Sequence, residues 1–224
     1  MVERTVFFLV FLVWSLTVTP LSIYLSRQYR IIDEPGGRKK HSMVTPRGAG
    51  VVIWAGYLLY AVLFPDPGNG VRIIATGATA IFLFGYMDDM HPLPPVMRLF
   101  FHLAAAAWVS YALPIPLWQR MLIIFWITGT TNAYNLIDGM DGLCLTMTLI
   151  TALVAIFAGN PAVWMPVAGL VFGVLLWNFP QPRTFLGDGG STLLGYICAS
   201  HLAWSIFPDL FGKGFFSLAA VLFF

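Results

Sequence analysis

The sequence predicts an all-α, polytopic membrane helix bundle of about eight spans plus a partial ninth. Three observations predict it. Hydrophobic residues make up 58% of the 224 residues and charged residues only 10%. Mean hydropathy is +0.80, more apolar surface than a soluble domain of this length can hide, so a bilayer must solvate it. The apolar residues also fall into runs separated by Gly- and Pro-bearing breaks, such as Pro65-Asp66-Pro67-Gly68, Pro92-Leu93-Pro94-Pro95 and Pro180-Gln181-Pro182.

The first run, 5–25, has no small-residue cleavage site after it and reads as a retained helix, not a signal peptide. Runs 49–64, 71–87, 98–113, 117–131, 143–158, 161–179 and 190–207 follow, and 213–224 is the partial ninth. Several are at or below the roughly 17 residues that cross ~30 Å of hydrocarbon. These are expected to be buried among other helices or to extend into their loops. No internal repeat, low-complexity tract or soluble-domain boundary interrupts the chain, so 1–224 reads as a single integral-membrane domain. A net charge of +2 excludes a basic nucleic-acid footprint. Cys144 and Cys198 lie inside apolar segments without metal-site spacing and read as packing residues.

The break at 26–47 holds Arg27, Arg30, Arg38, Lys39, Lys40 and Arg47, half of the 12 basic residues. The positive-inside rule places it in the cytoplasm and the N-terminus outside. Alternate crossing then carries 88–97, 132–142 and 180–189 to the cytoplasmic face as well. Those breaks hold Asp88-Asp89, the stretch NAYNLIDGMD from Asn132 to Asp141, and Asp188 within FLGDGGS. Membrane proteins rarely place acids at the edge of lipid without a use for them. Three acidic breaks are therefore expected to converge on one cytoplasmic site.

Clustered carboxylates and a carboxamide beside a basic loop suit a hard divalent cation holding a phosphate. Mg²⁺ takes oxygen ligands and usually shares them with substrate phosphates. There is no His/Cys cluster of the zinc type, and no nucleophile elbow. The glycines of Gly139-Met140-Asp141-Gly142 and Gly187-Asp188-Gly189-Gly190 let backbone approach a ligand closely, and each stretch precedes a helix whose N-terminus favours anions. A phosphate-handling, Mg²⁺-dependent membrane enzyme fits this pattern.

The series RKKHSMVTPRGAG, MDD, NAYNLIDGMDGL and FLGDGGSTLLGY resembles, in order over nearly the whole chain, the polyprenyl-phosphate N-acetylhexosamine-1-phosphate transferases. It is more similar to the bacterial enzymes that start O-antigen or other surface polysaccharides than to the muramoyl-pentapeptide branch. The resemblance implies transfer of a sugar 1-phosphate from a UDP-N-acetylhexosamine to undecaprenyl phosphate with release of UMP. It implies Mg²⁺, with Mn²⁺ as an alternative, at the bacterial inner membrane, in a lipid-embedded chain that is a monomer or a homodimer. Carried over residue by residue, Asp188 and Asn135 hold the metal. Asp88 and Asp89 position or deprotonate the acceptor phosphate. The turn Asp138, Gly139, Met140, Asp141 and Gly142 and the aromatic Phe185 lie where the family binds uridine; Asn132, Lys39 and Arg98 are further substrate-binding candidates, Arg98 as a clamp on a diphosphate. A phosphate monoester has a second pKa of about 6, so the acceptor needs little deprotonation, which favours positioning for the aspartate pair.

Each element also has a plain reading. Asp88-Asp89 alone is equally a solvated helix end. The 138–142 turn alone is a capped turn; the CDP-alcohol phosphotransferase signature is set aside because Leu143-Cys144-Leu145-Thr146 follows the last glycine. The basic run 38–47 reads as a topology anchor with phosphate contact as an additional role, and Arg98 and Arg183 read either as helix-end snorkellers or as clamps on a diphosphate. His41 reads as solvated, His91 as a bystander, and His102 and His201 as packing residues. The family's chains continue through further helices and a His-x-His-His loop, so a C-terminally truncated member is expected. The competing readings are an inactive membrane subunit and an ion-coupled transporter. A transporter more often places its acids at mid-span and shows repeated halves.

Overall fold

The computed structural model describes residues 2–33, 44–63 and 70–206. Among them the chain forms eight helices: α1 (Val2–Gln28), α2 (Ala49–Leu63), α3 (Val71–Met90), α4 (Pro95–Ala112), α5 (Leu117–Ile137), α6 (Leu143–Phe157), α7 (Pro161–Asn178) and α8 (Gly187–Ile206). One short antiparallel pair, β1 (Ile32–Asp33) and β2 (Thr45–Pro46), brackets the basic loop. The all-α membrane bundle is as expected. The partial ninth span and Lys39 lie outside the described residues.

Among the described residues, three helices are long and apolar enough to cross a membrane by length and composition alone: Thr5–Gln28, Val71–Met90 and Pro161–Asn178. The others are shorter or more polar, and packing compensates. α5 runs on to Ile137, past the expected end at 131, so Asn132 and Asn135 lie on the helix and not in a loop. Asn132 stays helical by returning its Nδ2 to the Thr128 carbonyl at 2.8 Å. α3 likewise takes in Asp88 and Asp89, and α8 begins at Gly187, which puts Asp188 in its first turn. α4 starts at Pro95, where a proline loses no helical hydrogen bond.

α8 is the central helix and packs against α2, α3, α4, α5 and α6, while α1 lies along α7 and α2. Its glycines make the approach close. A Cβ on Gly85 of α3 would lie 2.6 Å from Gly189 Cα, and one on Gly50 of α2 would lie 2.7 Å from Gly190 Cα. Without a hydrophobic drive between helices in lipid, such backbone contact and interhelical hydrogen bonds hold a bundle together. Tyr196 Oη donates to the Ala105 carbonyl at 3.1 Å, Trp126 Nε1 to that of Ala199 at 3.3 Å, and Ser15 Oγ to that of Leu170 at 2.8 Å. The outer faces carry exposed Leu9, Val13, Phe100, Phe125 and Phe157, side chains that suit lipid.

Candidate functional site

Up-and-down crossing brings alternate connections to the same end of the bundle. That end collects the C-termini of α3, α5 and α7, the N-termini of α4, α6 and α8, and the β1–β2 pair. Between them lies a cleft of about 680 Å³. Seven of the predicted residues line it: Asn135, Asp138, Gly139, Met140, Asp141, Phe185 and Asp188. Asp88, Asp89 and Arg98 are not among its lining residues but adjoin them, Arg98 beside Asp188 and Asp89 against the Asp188 N–H.

The aspartates differ sharply in exposure. The Asp188 side chain is 39% exposed, whereas those of Asp88 and Asp89 are 3% and 1% exposed. Asp88 pairs through Oδ2 with Arg98 Nε at 2.8 Å and accepts the Leu93 N–H at 2.6 Å through Oδ1. Arg98 then reaches with Nη1 to 3.9 Å from Asp188 Oδ2. Asp89 accepts from Arg47 Nη1 at 2.8 Å, and Arg47 Nη2 donates to Asp33 at 2.6 Å. Asn135 is fixed by a 2.9 Å hydrogen bond that its Oδ1 accepts from Ser191 Oγ of α8.

The cleft is electrostatically crowded. Burial, then the charges of Asp188, Asp89 and Asp141, push the Asp138 carboxyl up to about 8, with Arg47 opposing. Burial and the neighbouring Asp89 and Asp88 likewise raise Asp188, with Arg98 opposing. Burial works to lower the Arg47 guanidinium, but its carboxylate partners outweigh it and the net shift is upward. Negative charge in excess of its counter-charges fits a divalent cation. Among the described residues no three His, Cys, Asp or Glu side chains group tightly enough to hold a metal alone. One carboxylate (Asp188) and one carboxamide oxygen (Asn135) form the kind of sparse oxygen set with which Mg²⁺ binds phosphates.

A family description matches residues 71–206, the stretch from α3 to the end of α8 that carries most of the cleft: glycosyl transferase family 4. The chain belongs to that family. It is 30% identical to a Bacillus subtilis protein named probable undecaprenyl-phosphate N-acetylglucosaminyl 1-phosphate transferase, over 88% of this chain and 61% of that protein. It is 28% identical to a Thermotoga maritima undecaprenyl-phosphate alpha-N-acetylglucosaminyl 1-phosphate transferase, over 81% and 59%. A Streptococcus uberis phospho-N-acetylmuramoyl-pentapeptide-transferase is 27% identical, over 83% and 69%. The chain thus spans 61% and 59% of the length of the first two relatives.

Within this family 4 chain, four predicted site residues among those described do not line the cleft: Asp88, Asp89 and Arg98, which meet its lining through ion pairs and hydrogen bonds, and Asn132, which turns back to Thr128. Sequence reasoning missed Asp33 and Asn178, and took Arg47 as part of a topology anchor with phosphate contact as an additional role. All three line the cleft. Asn178 ends α7 and is buried; its Oδ1 accepts the Gly142 N–H at 2.7 Å and its Nδ2 donates to the Thr184 carbonyl at 2.8 Å. Thr184 Oγ1 in turn donates to the Pro46 carbonyl at 3.2 Å, and the Phe185 N–H to the same oxygen at 2.8 Å. A lone carboxamide closing an apolar run was the signal available in the sequence.

Proposed function

We propose that this chain carries the transferase site for moving a sugar 1-phosphate, N-acetylglucosamine 1-phosphate or a related N-acetylhexosamine 1-phosphate, from a UDP-sugar to undecaprenyl phosphate. The carrying observation is that Asp188, Asn135, Asp138, Asp141 and Phe185, brought by separate segments, line one cleft beside the Asp88–Arg98 pair. The names of the relatives support undecaprenyl phosphate as acceptor and N-acetylglucosamine 1-phosphate as the group transferred. In this proposal the site faces the cytoplasm at the inner membrane, an orientation supported by the basic residues of 26–47. The product starts a cell-surface polysaccharide.

In this reading an oxygen of the lipid phosphate attacks the β-phosphorus of the UDP-sugar. A P–O bond forms, the bond to the α-phosphate breaks, and UMP leaves. The 138–142 turn and Phe185 hold the uridine, with Phe185 offering an aromatic face to the base. Arg98, aimed by Asp88, stands beside Asp188 and offers its remaining N–H donors to the diphosphate. Lys39 adds a charge from the basic loop. Asp188 and Asn135 would hold Mg²⁺, which supplies positive charge for the phosphoryl oxygens as negative charge builds on them.

The test is UMP release from UDP-N-acetylglucosamine in membranes containing the chain. Release that requires both undecaprenyl phosphate and Mg²⁺ is expected. UMP formed equally without the lipid acceptor, or none with every component present, overturns the proposal.

A further inference from the structure

Asp89 occupies a position that its partner Asp88 does not share. Its carboxylate accepts three hydrogen bonds: from Arg47 Nη1 at 2.8 Å and the Asp188 N–H at 2.9 Å, both at Oδ1, and from the Gly189 N–H at 3.1 Å at Oδ2. Two of those donors belong to the first turn of α8, where backbone N–H groups have no partner within their own helix. Asp89 therefore caps α8 from a different helix. Its negative charge also lies where the helix dipole favours it.

The surrounding backbone is shaped to that contact. Gly187 enters α8 with φ 71°, and a Cβ there would lie 2.5 Å from Asp89 Oδ2. The chain passes directly over the carboxylate, and only glycine fits. On the far side, Arg47 is held by Asp33 at 2.6 Å, so the guanidinium cannot swing away without breaking a second ion pair. With its side chain 1% exposed, Asp89 has no face open to the cleft. Asp188, in the turn that Asp89 caps, points outward and is 39% exposed.

We infer that Asp89 is a positioning residue: clamped by Arg47, it fixes the first turn of α8 so that the Asp188 carboxylate faces the cleft, and it takes no proton from the acceptor. This inference rests on the proposed transferase function for its meaning, but the clamp itself is measurable without turnover.

The experiment compares the full chain with Asp89→Asn, Asp89→Ala and Arg47→Gln in lipid nanodiscs. Two readouts are taken. Hydrogen exchange at residues 187–191, followed by mass spectrometry, reports the clamp. UMP release as a function of Mg²⁺ and pH reports the role. Asparagine keeps an oxygen for Arg47 and for the Asp188 N–H and loses the bond to Gly189, whereas alanine loses all three. Exchange is expected to rise at least about tenfold in Asp89→Ala, the scale of a lost charge-assisted hydrogen bond, with Arg47→Gln intermediate and Asp89→Asn least affected. Retained rate should follow the same order. The Mg²⁺ concentration for half-maximal rate should rise with the exchange, at every pH tested. The inference is overturned if exchange at 187–191 stays at the parent value in Asp89→Ala. It is equally overturned if Asn and Ala variants lose rate alike and both recover between about pH 7 and 9. A parent that releases no UMP sinks the proposed function alone, because the exchange pattern still reads the clamp.

Discussion

Asn178, at the end of α7, accepts a 2.7 Å hydrogen bond from the backbone N–H of Gly142, at the entrance to α6. Gly142 has φ 74°, so this is the point where the 138–142 turn reverses into a helix. With its Nδ2 on the Thr184 carbonyl, Asn178 joins that segment to the turn at Gly142, 36 residues before Asn178 in sequence. Asn178→Ala should leave a buried N–H and a buried carbonyl unpaired, costing about 1–3 kcal/mol for each group left without a partner. The expected kinetic signature is a raised KM for the UDP-sugar with kcat for bound substrate less affected. Steady-state UMP release at varied donor concentration checks this, and an unchanged KM refutes it.

Asp188→Asn should cut transferase activity by orders of magnitude. The protein should still insert, because the change removes one charge at the end of α8 and no apolar span. Turnover near the parent rate, with the same Mg²⁺ dependence, would remove Asp188 from the metal site.

Asp138 gives a pH dependence of stability with a definite sign. Its folded carboxyl is raised from 3.8 to about 8, first by burial and then by Asp188, Asp89 and Asp141. The folded state therefore binds this proton more tightly than the unfolded chain does. The parent, without divalent cation, should lose thermal stability as pH climbs from about 4 towards 8, and level off above. Asp138→Asn should flatten that slope, and added Mg²⁺ should reduce it in the parent by neutralising the neighbouring charge. Melting curves of the detergent-solubilised protein across this pH range decide the matter; a parent slope of the opposite sign defeats the assignment.

Orientation is testable apart from catalysis. In Ser42→Cys, within the basic break, the thiol should react with a membrane-impermeant reagent only after the cytoplasmic side is opened. Labelling of intact cells from outside would invert the topology and put the cleft on the wrong face for a nucleotide sugar.

The runs that became α1 to α8 were legible because lipid demands long apolar segments, and hydropathy detects them directly. The cleft residues Asn135, Asp138, Asp141 and Asp188 were legible too, since polar groups at the edge of lipid stand out against an apolar background. The end of α5 was less so. Hydropathy reads the polar stretch from Asn132 as a loop, yet Thr128 and Ser191 supply the hydrogen bonds that keep it helical and in place.

The sequence by itself determined the class, the order of the helices and the convergence of the acidic breaks at one end, because alternate crossing makes neighbours of every second connection. Only the tertiary structure decided which acids meet the cleft. Asp88 and Asp89 are adjacent in sequence, yet one is turned to Arg98 and the other is enclosed by Arg47 and the first turn of α8. The physical reason is that a carboxylate's role follows from the donors around it. Here those donors come from Arg47 just after β2, from Leu93 and Arg98 around the start of α4, and from the first turn of α8, which is brought against α3 by the Gly85–Gly189 contact that no local pattern in the chain records.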